Sequence, residues 1–348
     1  MLVLTYEFDE VMRLKDMSKT ISDIAKLAGV AKSTVSRFLN GGSVGEKTKK
    51  KIEQAIRETG YAPNPFAQSL KAKKTNIVGT IVPRLDSYAS SQTLIGIDEQ
   101  LKKLNYQMLI SNTSQSLERE IESIYSFANQ KMAGIILLAT EITDQHLQAL
   151  ETVKIPTLLV GQEHPGFHSV IHDDEHASYE MGRFVLEKGY RKLAYLGVTE
   201  RDIAVGVKRK QGFKRAIQEV DDCEVRFFET EFKIPAAQAS ARDIIRDFHP
   251  EIFVCATDNI ALGVLKTAYS EGLTIPKDVA VTGFGGYDVT EIIHPSLTTA
   301  KFFYKQAGET AAKHIIDLVN ERQVEKITVS KFEIIERESV DNIGNRVL

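Results

Sequence analysis

The chain is poor in cysteine, in long apolar runs and in the short motifs of catalysis. Its two cysteines, Cys223 and Cys255, are too few for a disulfide framework and are not spaced as metal ligands, which fits a reducing cytoplasm. No apolar run approaches the ~18 residues that a membrane-spanning helix needs, so no membrane partner is expected. The opening MLVLTYEFDEVMRLKDMS carries Glu7, Asp9, Glu10 and Asp16 and has no apolar stretch fit for a signal peptide. Residues 1–17 therefore read as a disordered extension, unless translation begins at Met17. A nucleophile elbow, a P-loop and a zinc-protease helix motif are all missing. The run Gly283-Phe284-Gly285-Gly286-Tyr287-Asp288 fails the dinucleotide fingerprint, because Asp288 takes the last glycine position. His164, His172 and His176 lack metal-like spacing. No enzyme activity, cofactor or metal is expected. Low-complexity tracts and short repeats are also lacking.

What is there is unevenly charged. The 348 residues sum to −3, but residues 17–74 hold +8 while residues 75–348 hold −9. A basic N-terminal module before an acidic body predicts a polyanion-binding domain at the front. The length predicts two or three domains.

Within the basic module, Thr20–Asn40 reads as two short helices joined by a turn. Ile21, Ile24, Ala25 and Ala28 recur at helical spacing, Thr20 and Asp23 approach a capping box, and Gly29 supplies the turn. In the second segment Val35, Phe38 and Leu39 turn inward. Lys32, Ser33, Ser36 and Arg37 make a face of cations and small hydroxyls, suited to base edges and phosphates in a major groove. The rival reading is an ordinary helical hairpin with a solvated face. A third helix, roughly Glu46 to Thr59, buries Ile52, Ala55 and Ile56 and turns Lys47, Lys49, Lys50 and Lys51 outward. After the turn Tyr61-Ala-Pro-Asn-Pro65, the segment Phe66–Ala72 reads as one or two helical turns, marginal alone. Leu70 is then either a wedge for a minor groove or a stray linker leucine.

From Asn76 the pattern alternates. Apolar runs at Ile77–Val82, Gln107–Ile110, Gly134–Ala139, Thr157–Gly161, Leu193–Gly197, Ile252–Ala256 and Val279–Phe284 suit buried parallel strands, with helical stretches between them. A final helix (Gln306–Asn320) and one strand (Lys326–Ile335) complete the chain. This βαβ series predicts doubly wound parallel sheets, in two lobes around a cleft.

"DIAKLAGVAKSTVSRFLN", "TKKKIEQAIRETGYAPN" and "AQSL", in that order and spacing, resemble the helix-turn-helix, third helix and hinge helix of the lactose/galactose repressor family. The resemblance runs from about Thr20 to Ile335. It implies a small all-α DNA-binding domain with a hinge helix, followed by a two-lobed α/β body of the periplasmic-binding-protein type. The implied boundaries are 18–62 for the helix-turn-helix domain, 63–75 for the hinge helix or linker, and 76–340 for the body. Lobe 1 takes roughly 76–162 and 301–323, and lobe 2 roughly 163–300 and 324–340. The chain is expected to cross between lobes near Gly161–His164, Thr299–Phe302 and Asn320–Glu325.

Carried over residue by residue, the resemblance assigns base choice to Lys32, Ser33 and Arg37. It assigns phosphate contacts to Thr20, Thr34, Asn40 and Thr48, adds Ile21 and Asn64 to the DNA-facing set, and makes Leu70 the minor-groove lever with Lys71 beside it. Ala31 and Gly45 depart from the family's usual serines, so phosphate contact there is expected to be slightly weaker. "IVPRLDS", "HDDEHA", "YLGV" and "CATDNIALG" are similar to segments of sucrose- and trehalose-operon repressors. Arg84 and Ser87 in the first of these, with Arg209, Asp258 and Phe302, form the implied effector set. Two arginines in one cleft suit a phosphate, because the guanidinium fork binds its oxygens in pairs. Alternatives stay open: Arg84 can pair with Asp86, Asp258 can cap its helix, and Phe302 can be core. The Gly283–Gly286 run replaces a frequent acidic pair and leaves room for a bulkier ligand.

The expected function is a homodimeric (or larger) cytoplasmic repressor of a sugar-utilisation operon. It binds pseudo-palindromic double-stranded DNA and is released by a sugar or sugar phosphate, with sucrose 6-phosphate or sucrose/fructose ahead of trehalose 6-phosphate. A global catabolite regulator answering a phosphorylated carrier protein is the alternative, and a sugar-phosphate enzyme the remote one.

Overall fold

The computed structural model describes residues 19–39, 42–61 and 75–343. Two compact units divide the chain at Thr75. In the first, α1 (Ile21–Ala28), α2 (Lys32–Leu39) and α3 (Glu46–Thr59) surround a core of Ile24, Ala25, Ala28, Val35, Ile52 and Ala55. The capping box is complete: the Thr20 backbone N–H donates to Asp23 Oδ2 at 2.8 Å, and the Asp23 N–H donates to Thr20 Oγ1 at 3.4 Å. Gly29 and Gly60 end α1 and α3 with φ of 64° and 63°, where a side chain would be strained. Nothing but Gly45 and Ala31 precedes α3 and α2, so neither start has a side-chain cap of its own. The predicted turn of helix at Phe66–Ala72 falls outside the described residues.

The second unit holds two six-stranded sheets. Sheet 1 contains β1 (Ile77–Val82), β2 (Gln107–Asn112), β3 (Gly134–Leu137), β4 (Thr157–Val160), β5 (His168–His172) and β11 (Ile327–Ser330). Its order is β11-β5-β4-β3-β1-β2, parallel throughout. Sheet 2 contains β6 (Lys192–Gly197), β7 (Glu224–Glu229), β8 (Ile252–Cys255), β9 (Ala280–Gly285), β10 (Thr298–Phe302) and β12 (Phe332–Ile335). Its order is β12-β10-β9-β8-β6-β7, with only β12 antiparallel. The helices are α4 (Tyr88–Lys103), α5 (Leu117–Asn129), α6 (Asp144–Val153), α7 (Asp174–Glu187), α8 (Arg209–Ile217), α9 (Ile234–Phe248), α10 (Asp258–Ser270), α11 (Val289–Ile292) and α12 (Tyr304–Val319). A π-helical turn, Ile203–Lys208, leads into α8.

The expected lobe boundaries need correction. β5 and β11 belong to sheet 1, so the chain passes between sheets at Asp173, Phe303 and Lys331, not at Gly161–His164 or Asn320–Glu325. Only the crossing expected at Thr299–Phe302 was near its true place. The single strand read over Lys326–Ile335 is two strands either side of Lys331: β11 pairs with β5 and β12 with β10. An apolar run carries no mark of which sheet it joins, and this one changes sheets at one residue.

α4 and α12 cover one face of sheet 1, where Leu94, Ile97, Leu101, Ala307, Ala311 and Ile315 meet Val78, Val82 and Ile136. Their backbones touch: a Cβ on Gly96 would stand 2.0 Å from Lys305 O, and one on Gly308 would stand 2.1 Å from Thr93 O. Gly308→Ala is therefore expected to force the helices apart and destabilise the body by about 1–3 kcal/mol, the usual cost of overpacking. A urea-unfolding midpoint equal to wild type would count against this contact.

Candidate functional site

In the N-terminal unit Lys32, Ser33 and Arg37 are exposed on α2, with no acidic side chain on that helix. Val35 at 0% exposure anchors the opposite side, so the side chains expected to read bases project together from a packed scaffold. Thr20 caps α1, Thr34 is half-buried on α2, and Thr48 stands half-buried in the first turn of α3. Ile21 is half-buried and packs at the rim of the core. Lys47, Lys49, Lys50 and Lys51 are exposed, as the helical phase of α3 requires. Asn40, Asn64, Leu70 and Lys71 lie outside the described residues.

In the body, a cavity of about 160 Å³ opens between the C-terminal ends of the strands of both sheets. That is room for roughly five waters at about 30 Å³ each, a space that a small ligand can enter. It stands where open α/β sheets bind their ligands, because the loops there are free of pairing duties. Arg84, Ser87 and Arg209 line it, as expected. Arg84 follows β1 and Pro83, with its guanidinium 4.9 Å over the Phe232 ring. It makes the expected alternative ion pair with the exposed Asp86, though Nε at 3.8 Å from Oδ1 is too far for a hydrogen bond. Ser87 caps α4, its hydroxyl accepting from the Ser90 N–H at 3.4 Å.

Arg209 is differently placed. Its Nε and Nη2 donate to Asp174 Oδ1 at 2.8 and 2.7 Å, and Nη1 donates to Ala256 O at 2.6 Å. Phe302 lies 4.8 Å beneath the guanidinium. The expected pair of free arginines is thus one arginine with open donors, Arg84, and one already neutralised by a buried carboxylate.

Asp258 and Phe302 are not among the residues lining the cavity, a correction to the expected effector set. Thr257, not Asp258, caps α10, its Oγ1 accepting from the Ile260 N–H at 3.3 Å. Asp258 is fully buried and accepts from the Tyr287 N–H at 2.8 Å and from Thr299 Oγ1 at 2.6 Å. The glycine run makes room for it: a Cβ on Gly283 would stand 2.3 Å from Asp258 Oδ1, and one on Gly285 would stand 2.2 Å from the Tyr287 ring. The space expected for a bulky ligand is filled from within. Phe302 acts on the cavity through the guanidinium above it and through the His172 and Tyr304 rings, 5.4 and 5.8 Å away. The residue after Asp258, Asn259, does reach the cavity, so the motif was located and the helical phase was one residue out.

Other lining residues escaped the sequence reading: Asp174, His172, Asp202, Gln115 and Tyr304. Only the strand-ending His172-Asp173-Asp174 carried a signal. Across the cleft, Tyr88 stacks on Tyr287 with ring centroids 4.2 Å apart. Lys208 Nζ pairs with Glu163 Oε1 at 2.8 Å, and the Ile203 N–H reaches Thr140 O at 3.4 Å. These contacts hold the lobes together over the cavity.

Burial pushes the His172 imidazole down to about 4, against the pull of Asp174 and with the help of Arg209. Burial also pushes Asp258 up to about 6, in spite of its hydrogen bonds from Thr299 and Tyr287, and raises Asp202. The depressed histidine stabilises the fold above its ordinary pKa, a contribution lost as pH falls through about 4. The raised aspartates act oppositely: their contribution is present below the ordinary carboxylate range and, for Asp258, lost as pH rises through about 6. The two slopes oppose one another in mild acid. His172→Gln removes one of them, so its melting temperature relative to wild type should rise between pH 6.5 and 5; parallel curves would overturn the assignment.

Residues 20–64 match the profile of bacterial regulatory proteins of the lacI family, and residues 183–340 match a periplasmic binding protein-like domain. The sucrose operon repressor of Staphylococcus xylosus is 39% identical over 309 residues, covering 88% of this chain and 96% of that protein. Catabolite control protein A of Priestia megaterium is 27% identical, covering 90% of this chain and 96% of that one. In fold, the lac repressor dimer bound to operator and the anti-inducer ONPF superposes with a TM-score of 0.85 at 22% identity, covering 92% of this chain and 98% of that one. With these matches spanning nearly its whole length, the chain belongs to the lacI family of bacterial regulatory proteins.

Proposed function

We propose that this regulator represses a sugar-utilisation operon as a homodimer and leaves its operator when a phosphorylated sugar, best sucrose 6-phosphate, enters the body's cavity. The observation that carries the effector class is Arg84: a cation at the end of β1, facing the cavity, without a hydrogen-bonded carboxylate. The other arginine there is already compensated, since Arg209 is held by Asp174. The one ion-pair partner of Arg84 among the described residues, Asp86, is exposed and 3.8 Å away, and a phosphate supplies an anion that the guanidinium can hydrogen-bond. The sugar follows from the relative named a sucrose operon repressor. Sucrose or fructose come next as candidates, and trehalose 6-phosphate after them.

Family membership makes the chain a DNA-binding regulator and not an enzyme, and the cytoplasm, where such DNA lies, is its proposed place of work. Two copies of α2 would read the half-sites of a pseudo-palindrome through Lys32, Ser33 and Arg37. Thr20, Thr34, Asn40 and Thr48 would take phosphates, and Leu70 would prise the central minor groove. By linkage, effector lowers operator affinity only as far as it prefers the DNA-free protein, typically by ~1–3 kcal/mol. A global catabolite regulator is the second reading, and the relative with a catabolite-control name is only 27% identical.

Two substitutions separate the halves of this reading. Arg37→Ala should lose about 1–3 kcal/mol of specific operator binding and keep much of the non-specific affinity; unchanged operator preference in a gel-shift titration would remove α2 from the groove. Arg84→Ala should bind operator normally and fail to release it with sucrose 6-phosphate. Normal release would sink the phosphate assignment.

A further inference from the structure

Gln115 stands on the cavity wall in a conformation that its own side chain disfavours. The loop after β2 contains two successive non-glycine residues at positive φ, Ser114 at 54° and Gln115 at 62°. Such residues are rare, since the Cβ crowds the backbone, and glycine would hold the same turn without strain. The surroundings impose the strain. The Thr113 N–H donates to Val82 O at 2.9 Å and the Gln115 N–H to Pro83 O at 3.0 Å, tying the loop to the end of β1 directly before Arg84. Arg119 donates to Asn112 O at 2.8 Å and to Ser114 Oγ at 3.3 Å.

A buried chain of polar groups braces the same loop from behind. Thr113 Oγ1 lies 3.2 Å from Glu120 Oε1, and Glu120 Oε2 lies 2.9 Å from His146 Nε2. His146 Nδ1 accepts the Thr143 N–H at 3.2 Å, which joins the loop to the segment after β3 that forms another part of the cavity wall. The serine hydroxyl at 114 is used in holding the loop. The Gln115 side chain is not: among the described residues its amide has no hydrogen-bond partner, it is exposed, and it lines the cavity. Nothing internal requires a glutamine here. A strained polar residue kept at a binding cavity by an over-determined scaffold is the pattern of a ligand contact.

We infer that Gln115 is a specificity-determining residue of the effector cavity, donating its side-chain amide to the phosphate whose charge Arg84 holds. This rests on the sugar-phosphate reading above and extends it to a second donor on the same edge. The amide carries two N–H groups and no charge, so it favours an acceptor-rich anion at this end without adding to the cavity's cation count. A carboxylate at the same place would repel the phosphate and leave a neutral sugar nearly unaffected.

Titration calorimetry on the full chain, with sucrose 6-phosphate and sucrose as separate titrants, tests this. Gln115→Ala should weaken sucrose 6-phosphate about tenfold, the usual effect of losing one hydrogen bond to a charged group, and Gln115→Glu should weaken it further. Sucrose affinity should change less than about twofold in both. Gln115→Gly is the control for folding: it relieves the backbone, so it should melt no lower than wild type while losing the same affinity for the phosphate. If the wild-type protein binds sucrose 6-phosphate and Arg84→Ala abolishes this while all three Gln115 variants bind as wild type, the inference falls and the sugar-phosphate reading stands. If the wild type is blind to sucrose 6-phosphate, both fall together.

Discussion

The pairing of Arg209 with Asp174 is the interaction on which the body's architecture turns. A guanidinium this deeply buried is tolerated only when its charge is matched and its N–H groups are bonded. Asp174, at the start of α7, matches the charge, and Ala256 O, at the end of β8, takes a third hydrogen bond. The face of the fork lies against Phe302 from β10. One side chain therefore gathers four elements of sheet 2's lobe at the floor of the cavity. It also leaves Arg209 little charge to offer a ligand, so the electrostatic character of the cavity passes to Arg84 on the facing lobe.

A second buried charge works by the same logic. Asp258 is held by backbone and hydroxyl donors from the loop after β9 and from β10, and glycines at 283 and 285 leave the space its oxygens and the Tyr287 ring occupy. The aspartate and the glycine run are two halves of one device that sets where Tyr287 stands. Tyr287 in turn stacks on Tyr88 of the other lobe. Carboxylate, glycines and aromatic pair thus connect the floor of one lobe to the entrance of the next.

The DNA-reading unit was legible almost residue by residue, because its signals are local: a capping box, a glycine at positive φ, and apolar positions at helical spacing. Seven of the parallel strands, β1–β4, β6, β8 and β9, were legible as apolar runs. What escaped was whatever depends on partners far along the chain. β5, β7 and β10 are framed by His168 and His172, by Glu224 and Glu229, or by threonines, and their pairing partners make them strands. Membership of a sheet is equally non-local, which is why three lobe boundaries were drawn and two were misplaced. Arg84, Ser87 and Arg209, named from motif alone, all line the cavity. Whether an arginine is free or spent depends on Asp174, whose side chain gives no sign of it in the sequence.

The change of sheet at Lys331 has a consequence for synthesis. Sheet 1 is incomplete without β11, and sheet 2 without β12, while α12 returns to cover sheet 1 only after most of sheet 2 has been made. Neither lobe is one continuous stretch of chain. The ribosome thus delivers the DNA-reading helices first and the strands that close the sensor last. At about 5–20 residues per second, each nascent copy carries its reading head for roughly ten seconds or more before it has anything to sense with.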